Sequence, residues 1–282
     1  MSYVLENLSE WERLEFQSTL PQYDYKKELK DFEVRQGSKI LDAGCGSGVV
    51  TRYLAKLFPS AQIVGCDLAS DRIQRSIQHS KEESSSDPSG MSANISFDVQ
   101  DLSSLSYPSL SFDGIVCRYV LQHLSEEKRA QVLSGFHRCL KPGGYLHLID
   151  YDGPFHNLFP QPPLVEEVLK KLELNPNLDL QIGRKLPALA IDAGFSKLKW
   201  RMELVEFQGE SLAQETELLK TRLDYAQPFL TGLLGDSNKA QAFKKEFINA
   251  LSDPRAVYFY NKVIVSAQRP QKTRETKLYR LK

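Results

Sequence analysis

The chain has 282 residues, 41% of them apolar and 26% charged, with 36 basic side chains against 36 acidic ones. Such a chain is long enough to bury a sizeable core in one or two domains, and its composition excludes a disordered or fibrous protein. Balanced charge argues against nucleic acid or an anionic membrane as a partner, and no apolar run approaches the roughly 20 residues of a membrane span.

The opening Met1-Ser2-Tyr3-Val4-Leu5-Glu6 lacks a basic-then-apolar leader, so a cytoplasmic location is expected. Cys45, Cys66, Cys117 and Cys139 stand apart, without C-x-x-C or His/Cys metal spacing, which predicts reduced thiols, no disulfide and no metal. In chain order, Ser9-Glu10-Trp11-Glu12 has the spacing of a capping box, and Leu8, Trp11 and Leu14 follow at helical intervals, predicting a helix ahead of any sheet.

Lys39-Ile40-Leu41-Asp42-Ala43-Gly44-Cys45-Gly46-Ser47-Gly48 is next: an apolar run that ends in an acid and breaks into three alternating glycines. This predicts a buried strand delivering a ligand-binding turn, because glycine permits positive φ and removes the Cβ that would hold a ligand off the main chain. Val50, Tyr53, Leu54 and Leu57 then recur at helical spacing up to Pro59. Strand, glycine loop and helix in this order bind dinucleotides such as NAD, or S-adenosylmethionine. The dinucleotide fingerprint G-x-G-x-x-G is missed, since Val49 stands three after Gly46 and the third glycine comes one residue early. Asp42 would sit poorly beside a pyrophosphate but well beside the ammonium of a methionine moiety.

Asp42, Gly44, Gly46 and Gly48 resemble the first motif of the class I S-adenosylmethionine-dependent methyltransferases, an acid followed by G-x-G-x-G, and the similarity continues in the family's motif order through roughly the first 150 residues. It implies a Rossmann-like, doubly wound, mostly parallel seven-stranded sheet with helices on both faces. Gln62-Ile63-Val64-Gly65-Cys66-Asp67 ends in an acid about twenty residues after the loop, where a ribose-binding carboxylate belongs, which sets Leu68 beside the adenine. After the alternating strand Ile95, Phe97, Val99 the resemblance implies that Asp101 accepts from the adenine amine and that Leu102 packs on the ring.

Phe112-Asp113 opens a fourth strand, and Leu140-Lys141-Pro142-Gly143-Gly144 resembles the family's turn into a fifth, ending at Asp150. Arg118, just after the fourth strand, is a candidate for the cofactor carboxylate or an acidic substrate. Cys117-Arg118-Tyr119-Val120 departs from the Asn-or-Asp-Pro-Pro-aromatic motif of the family's nucleobase amino-methylating branch, which argues against that branch. A Ser-rich stretch over 80–94 predicts a surface loop. Helices are expected over 164–172, over 184–193 with Gly194 as its stop, and over most of 210–251; strands are expected over 197–207 and 257–267. An insertion of about forty residues before the last strand is far longer than an ordinary connection.

In the resembling family that insertion and the leading helix build the acceptor pocket, so Leu223, Tyr225, Phe229 and Leu230 either line it or pack the insertion, and Arg13 and Gln17 on the leading helix reach toward the cofactor's methionine end. The expected organisation is a helical lid over 1–36, a cofactor-binding core over 37–150, a second half over 151–268 holding the insertion at about 209–252, and a basic tail over 269–282. Cofactor contacts are therefore expected from Asp42, Gly44, Cys45, Gly46, Gly48, Asp67, Leu68, Asp101, Leu102, Arg118, Arg13 and Gln17. The expected partner is a small molecule methylated on O, N or C by in-line displacement, with His123, His156 and Tyr151 as candidates for a general base. The competing readings are a catalytically silent binding or scaffold protein of the same fold and, given the glycine spacing, more remotely an NAD-dependent oxidoreductase.

Overall fold

The computed structural model describes residues 10–86 and 94–271. Ser9, Asp87-Pro88-Ser89-Gly90 and the tail beyond Gln271 lie outside the described residues. The described residues open with helix α1 (Glu10–Ser18), a 3-10 turn at Pro21–Tyr23 and the short helix α2 (Tyr25–Glu28), which Asp24 caps by accepting from the Lys26 and Lys27 amides. Then follow β1 (Lys39–Ala43), α3 (Val49–Leu57), β2 (Gln62–Asp67), α4 (Ser70–Ser86), β3 (Ile95–Val99), β4 (Phe112–Arg118), α5 (Glu126–Cys139) and β5 (Leu140–Asp152). Helix α4 claims residues 80–86 from the expected Ser-rich loop.

The second half holds the two-residue strand β6 (Leu158–Phe159), α6 (Pro163–Glu173), α7 (Leu186–Asp192), β7 (Ser196–Phe207), the helices α8 (Gly209–Tyr225), α9 (Gln227–Leu234) and α10 (Ser237–Leu251), and β8 (Val257–Gln268). The sheet runs β3-β2-β1-β4-β5-β8, with β7 on the outer side of β8, so the expected seven strands are present and β6 adds an eighth. It escapes a pattern-based reading because two residues cannot show a period. β1 to β5 are parallel; β8 runs antiparallel to β5, β6 and β7.

Strand alternation divides the core. Leu41, Ala43, Ile115, Cys117, Leu146 and Leu148 face one way and pack with Val132, Phe136 and Leu186 from α5 and α7. Ile40, Ile63, Val116, Ile149 and Ile264 face the other way and pack with Val50 and Leu54 of α3. Burial on both faces is why these strands read as continuous apolar runs. A separate cluster joins α6, α8 and α10 through Val168, Leu219, Leu223, Phe243 and Phe247 to Tyr258 and Tyr260 of β8. Among the described residues no helix is long and apolar enough to cross a membrane.

The strand order reverses between β1 and β4: from β1 the chain moves outward to β2 and β3, then returns to β4 and proceeds the other way. In an open parallel sheet this reversal opens a crevice at the strands' carboxyl ends. The glycine loop lies there.

Candidate active site

The loop is held in shape by its own main chain. Gly44 and Cys45 N–H both donate to the Cys66 carbonyl, at 2.8 and 2.9 Å, which ties the loop to β2. Gly44, Gly46 and Gly48 all have positive φ, of 78°, 56° and 78°. A Cβ at Gly44 would stand 2.4 Å from Val120 Cγ2, and one at Gly48 2.9 Å from the Phe97 ring, so side chains are excluded on space as well as on backbone conformation.

Three acids stand at or near the strand ends around this loop. Asp42 is 2% exposed and accepts from Thr51 Oγ1 at 2.6 Å; burial raises its carboxyl to about 6, against the opposing effects of the Thr51 hydrogen bond and Arg118. Asp67 accepts from Gly46 N at 3.0 Å, from Ala69 N at 3.0 Å and from Arg72 at 2.9 Å, so it braces the loop and the start of α4 together. Asp150 stands two residues before the end of β5, 1% exposed, accepting from the Gln122 and Tyr151 amides, and burial raises it to about 7. An acid ending an apolar run marks Asp150 in the sequence just as it marks Asp42 and Asp67.

Two apolar side chains stand open to solvent beside these acids: Leu68 at 64% and Val99 at 51%, at the ends of the neighbouring strands β2 and β3. Val99 was not singled out from the sequence, where it is one more alternating strand residue. Asp101 is exposed and spends one carboxylate oxygen on the Ser103 amide and hydroxyl, which holds its carboxyl below the usual range. The structure corrects Leu102: it is buried in the core with Leu105 and Val132, because the 3-10 turn after Asp101 points it inward rather than toward the crevice.

Helix α1 lies on the loop. Leu14 Cδ1 would meet a Cβ on Gly46 at 3.0 Å, and Glu15 makes a two-pronged pair with Arg52 of α3, at 2.8 and 2.9 Å, while Arg52 also donates to the Ser47 carbonyl. Arg13 and Gln17 are buried and bonded to each other at 2.6 Å, and Gln17 Nε2 reaches the Tyr151 hydroxyl at 3.5 Å. Helix α1 therefore touches both the loop and the end of β5.

The ends of β4 and β5 carry an aromatic floor. Tyr119 and Tyr151 stack at 4.1 Å with their planes 4° apart. Tyr119 adopts the left-handed φ of 57°, a conformation costly for a bulky side chain, and is fixed there by its N–H to the Ile149 carbonyl and its hydroxyl to Glu28 at 2.8 Å. Leu20, Tyr23 and Leu218 pack above these rings, bringing the N-terminal segment and α8 over the strand ends. Two fully buried acids anchor this roof. Glu28 pairs with Arg118 at 2.5 Å and Lys262 at 2.6 Å; burial opposes its ionisation, but the two cations hold its carboxyl below the usual range. Glu215 pairs with Arg222, whose guanidinium donates to Tyr23 Oη at 2.7 Å.

These contacts reassign three expectations. Arg118 is spent on Glu28 and the Tyr23 carbonyl instead of standing free for a ligand carboxylate, because α2 brings a buried acid to it. His156 turns away from the crevice: its ring nitrogens meet the Pro154 carbonyl and Glu173 of α6, each at 3.0 Å. His123 does stand near the loop, yet burial, with Arg13 and Arg72 close by, pushes it down to about 3, so it is neutral and weakly basic at physiological pH. Tyr151 is held in its phenol form, chiefly by burial, and its hydroxyl accepts from Gln17. Leu223, Phe229 and Leu230 pack the insertion's own cluster. Glu28, Glu15, Arg52 and Glu215 carry no signal in the sequence, since their partners lie 37 or more residues away or depend on the helix orientation.

Residues 40–144 match the family described as a methyltransferase domain. Phosphoethanolamine N-methyltransferase 3 of Arabidopsis thaliana is 31% identical over 126 residues, 44% of this chain and 24% of that protein; the chain thus spans about a quarter of this relative's length. Among solved structures, the [4+2]-cyclase SpnF superposes with a TM-score of 0.57 at 17% identity, over 89% of this chain and 81% of that one. Phosphoethanolamine N-methyltransferase 2 of Haemonchus contortus, solved with phosphomonomethylethanolamine and S-adenosylhomocysteine, gives 0.56 at 17% identity, over 88% and 53%. These two likenesses show the shared fold. The acid-and-glycine loop at the strand-order reversal falls inside residues 40–144, and this part of the chain is similar in sequence to methyltransferase domains.

Proposed function

We propose that the chain binds S-adenosylmethionine on the glycine loop and directs its methyl group to a small-molecule acceptor held over the ends of β4 and β5. The loop carries this reading: three glycines at positive φ, closed to side chains by Val120 and Phe97, with Asp42 and Asp67 at its edges and Leu68 and Val99 open beside them. That arrangement fits the cofactor's chemistry. The buried Asp42 suits the ammonium, the Asp67 carboxylate suits ribose hydroxyls, and the two exposed apolar side chains suit the adenine faces.

S-adenosylmethionine supplies, when bound, a methyl group on a sulfonium, an electrophile that needs neither metal nor covalent enzyme intermediate. The protein's task is then to orient and to exclude water, and such orientation is worth up to about 7–11 kcal/mol in well-aligned systems. Gln17 of α1 and Leu218 of α8 come over the strand ends, where the stacked Tyr119 and Tyr151 rings support the Tyr151 hydroxyl that accepts from Gln17. None of His123, His156 and Tyr151 is poised as a strong base, which favours an acceptor that reaches the site already nucleophilic.

Calorimetric titration with S-adenosylmethionine, S-adenosylhomocysteine and NAD, on the wild type and on Asp67→Ala, tests the proposal. Selective binding of the adenosyl ligands, weakened at least tenfold in the variant, is expected. Folded wild type that ignores both adenosyl ligands overturns it, toward a scaffold role, or toward a dehydrogenase if NAD binds instead.

A further inference from the structure

Among the described residues the twelve-residue strand β7 pairs only with β8, so its other edge is the free end of the sheet. Free edges are normally blunted by charge or cover, because their unpaired N–H and C=O groups template association. This edge strand carries charge, but one face also shows an apolar stripe: Trp200, Met202 and Leu204 alternate along it at 57%, 49% and 59% exposure. Their β8 partners Val265 and Val263 are buried under α7, whereas the edge residues extend past that cover.

We propose that two copies of the chain pair edge to edge through β7, antiparallel about a twofold axis at Met202. Self-complementarity selects this occupant. The first half of the strand is basic, with Lys197, Lys199 and Arg201, and the second half is acidic, with Glu203 and Glu206, so antiparallel pairing with an identical strand lays unlike ends side by side and brings Arg201 directly opposite Glu203. The register is also limited. A twofold axis normal to the sheet must pass through a residue facing its own copy, since neighbouring pairs in an antiparallel ladder alternate in type.

Centring on Arg201 opposes two guanidiniums, and centring on Glu203 opposes two carboxylates. Centring on Met202 sets Arg201 against Glu203 of the second copy and Trp200 against its Leu204, and keeps the whole apolar stripe on one face. The far face of β7 is already braced by Arg201, which pairs with Asp31 at 2.7 Å and with Glu203 of its own chain, so a second copy extends an existing Arg201–Glu203 pair into a network of four charges.

Sedimentation of the full chain over a concentration series tests this, together with two variants. Expected are a mass of two chains for the wild type, one chain for Met202→Lys with unchanged circular dichroism and melting, and covalent dimers when Met202→Cys is treated with a short bis-maleimide. The native cysteines are all buried and leave that reagent a single accessible thiol. A wild type that stays monomeric throughout, or a dimer whose introduced cysteines do not bridge, overturns the proposal; the second result locates the interface elsewhere.

Discussion

Asp42 stands in an environment that disfavours its charge, and this has a measurable sign. Burial lifts the carboxyl to about 6, so below that pH it is largely protonated and loses its attraction for an ammonium group. Affinity for S-adenosylhomocysteine is expected to be flat above about pH 7 and to fall toward tenfold per pH unit below about 6, the limit set by one linked proton. Titrations across this range check it, and Asp42→Asn should bind weakly without the slope. A wild-type affinity as flat as that of the variant removes Asp42 from the ammonium role. The neighbouring Asp67 was legible from its place at the end of an apolar run. Its grip on Gly46, Ala69 and Arg72 was not, because those partners assemble only when loop and helix meet.

At the level of elements, the first half of the chain was easier to read than the second. β1, β2, β4 and β5 lie inside the sheet and announce themselves as short apolar runs, whereas β3, at its edge, shows only alternation. The helices of the insertion were legible from composition, but what they pack against was not. Leu223 and Leu230 are turned into a cluster with α6 and β8, a choice made by helix orientation rather than by spacing. Phe247 is the test of that cluster. It is fully buried on α10 and meets Phe155, Phe243 and Tyr258 at ring separations of 5.5, 6.1 and 6.3 Å. Phe247→Ala is expected to cost about 3–5 kcal/mol in denaturant unfolding. A loss under about 1 kcal/mol would show that the insertion repacks freely and is not a fixed wall of the acceptor region.

Across the whole molecule, buried titratable groups pull stability in opposite directions with pH. Asp42 and Asp150 are raised to about 6 and about 7, so the folded chain holds protons that the unfolded chain releases, and their contribution is full below about 4 and lost as pH rises through those values. His123 and His147 are lowered to about 3 and about 4, chiefly by burial, so their contribution is full above about 6.5 and lost as pH falls through those values. Between about pH 4 and 6 the two pairs offset each other. Relative to the wild type, Asp150→Asn should gain stability as pH rises from about 4 to 7, and His147→Gln should lose it over about 4 to 6.5. Denaturation midpoints at several pH values check both tilts, and parallel curves for all three proteins would contradict these burial-driven shifts.

Cys45 and Cys66 are buried at the carbonyl that anchors the glycine loop, and burial raises both thiols far out of the reactive range. An alkylating reagent reaches them when Gly44 and Cys45 let go of the Cys66 carbonyl. The loop thus carries its own chemical clock: each modification records one opening, and whatever settles on the loop slows the count.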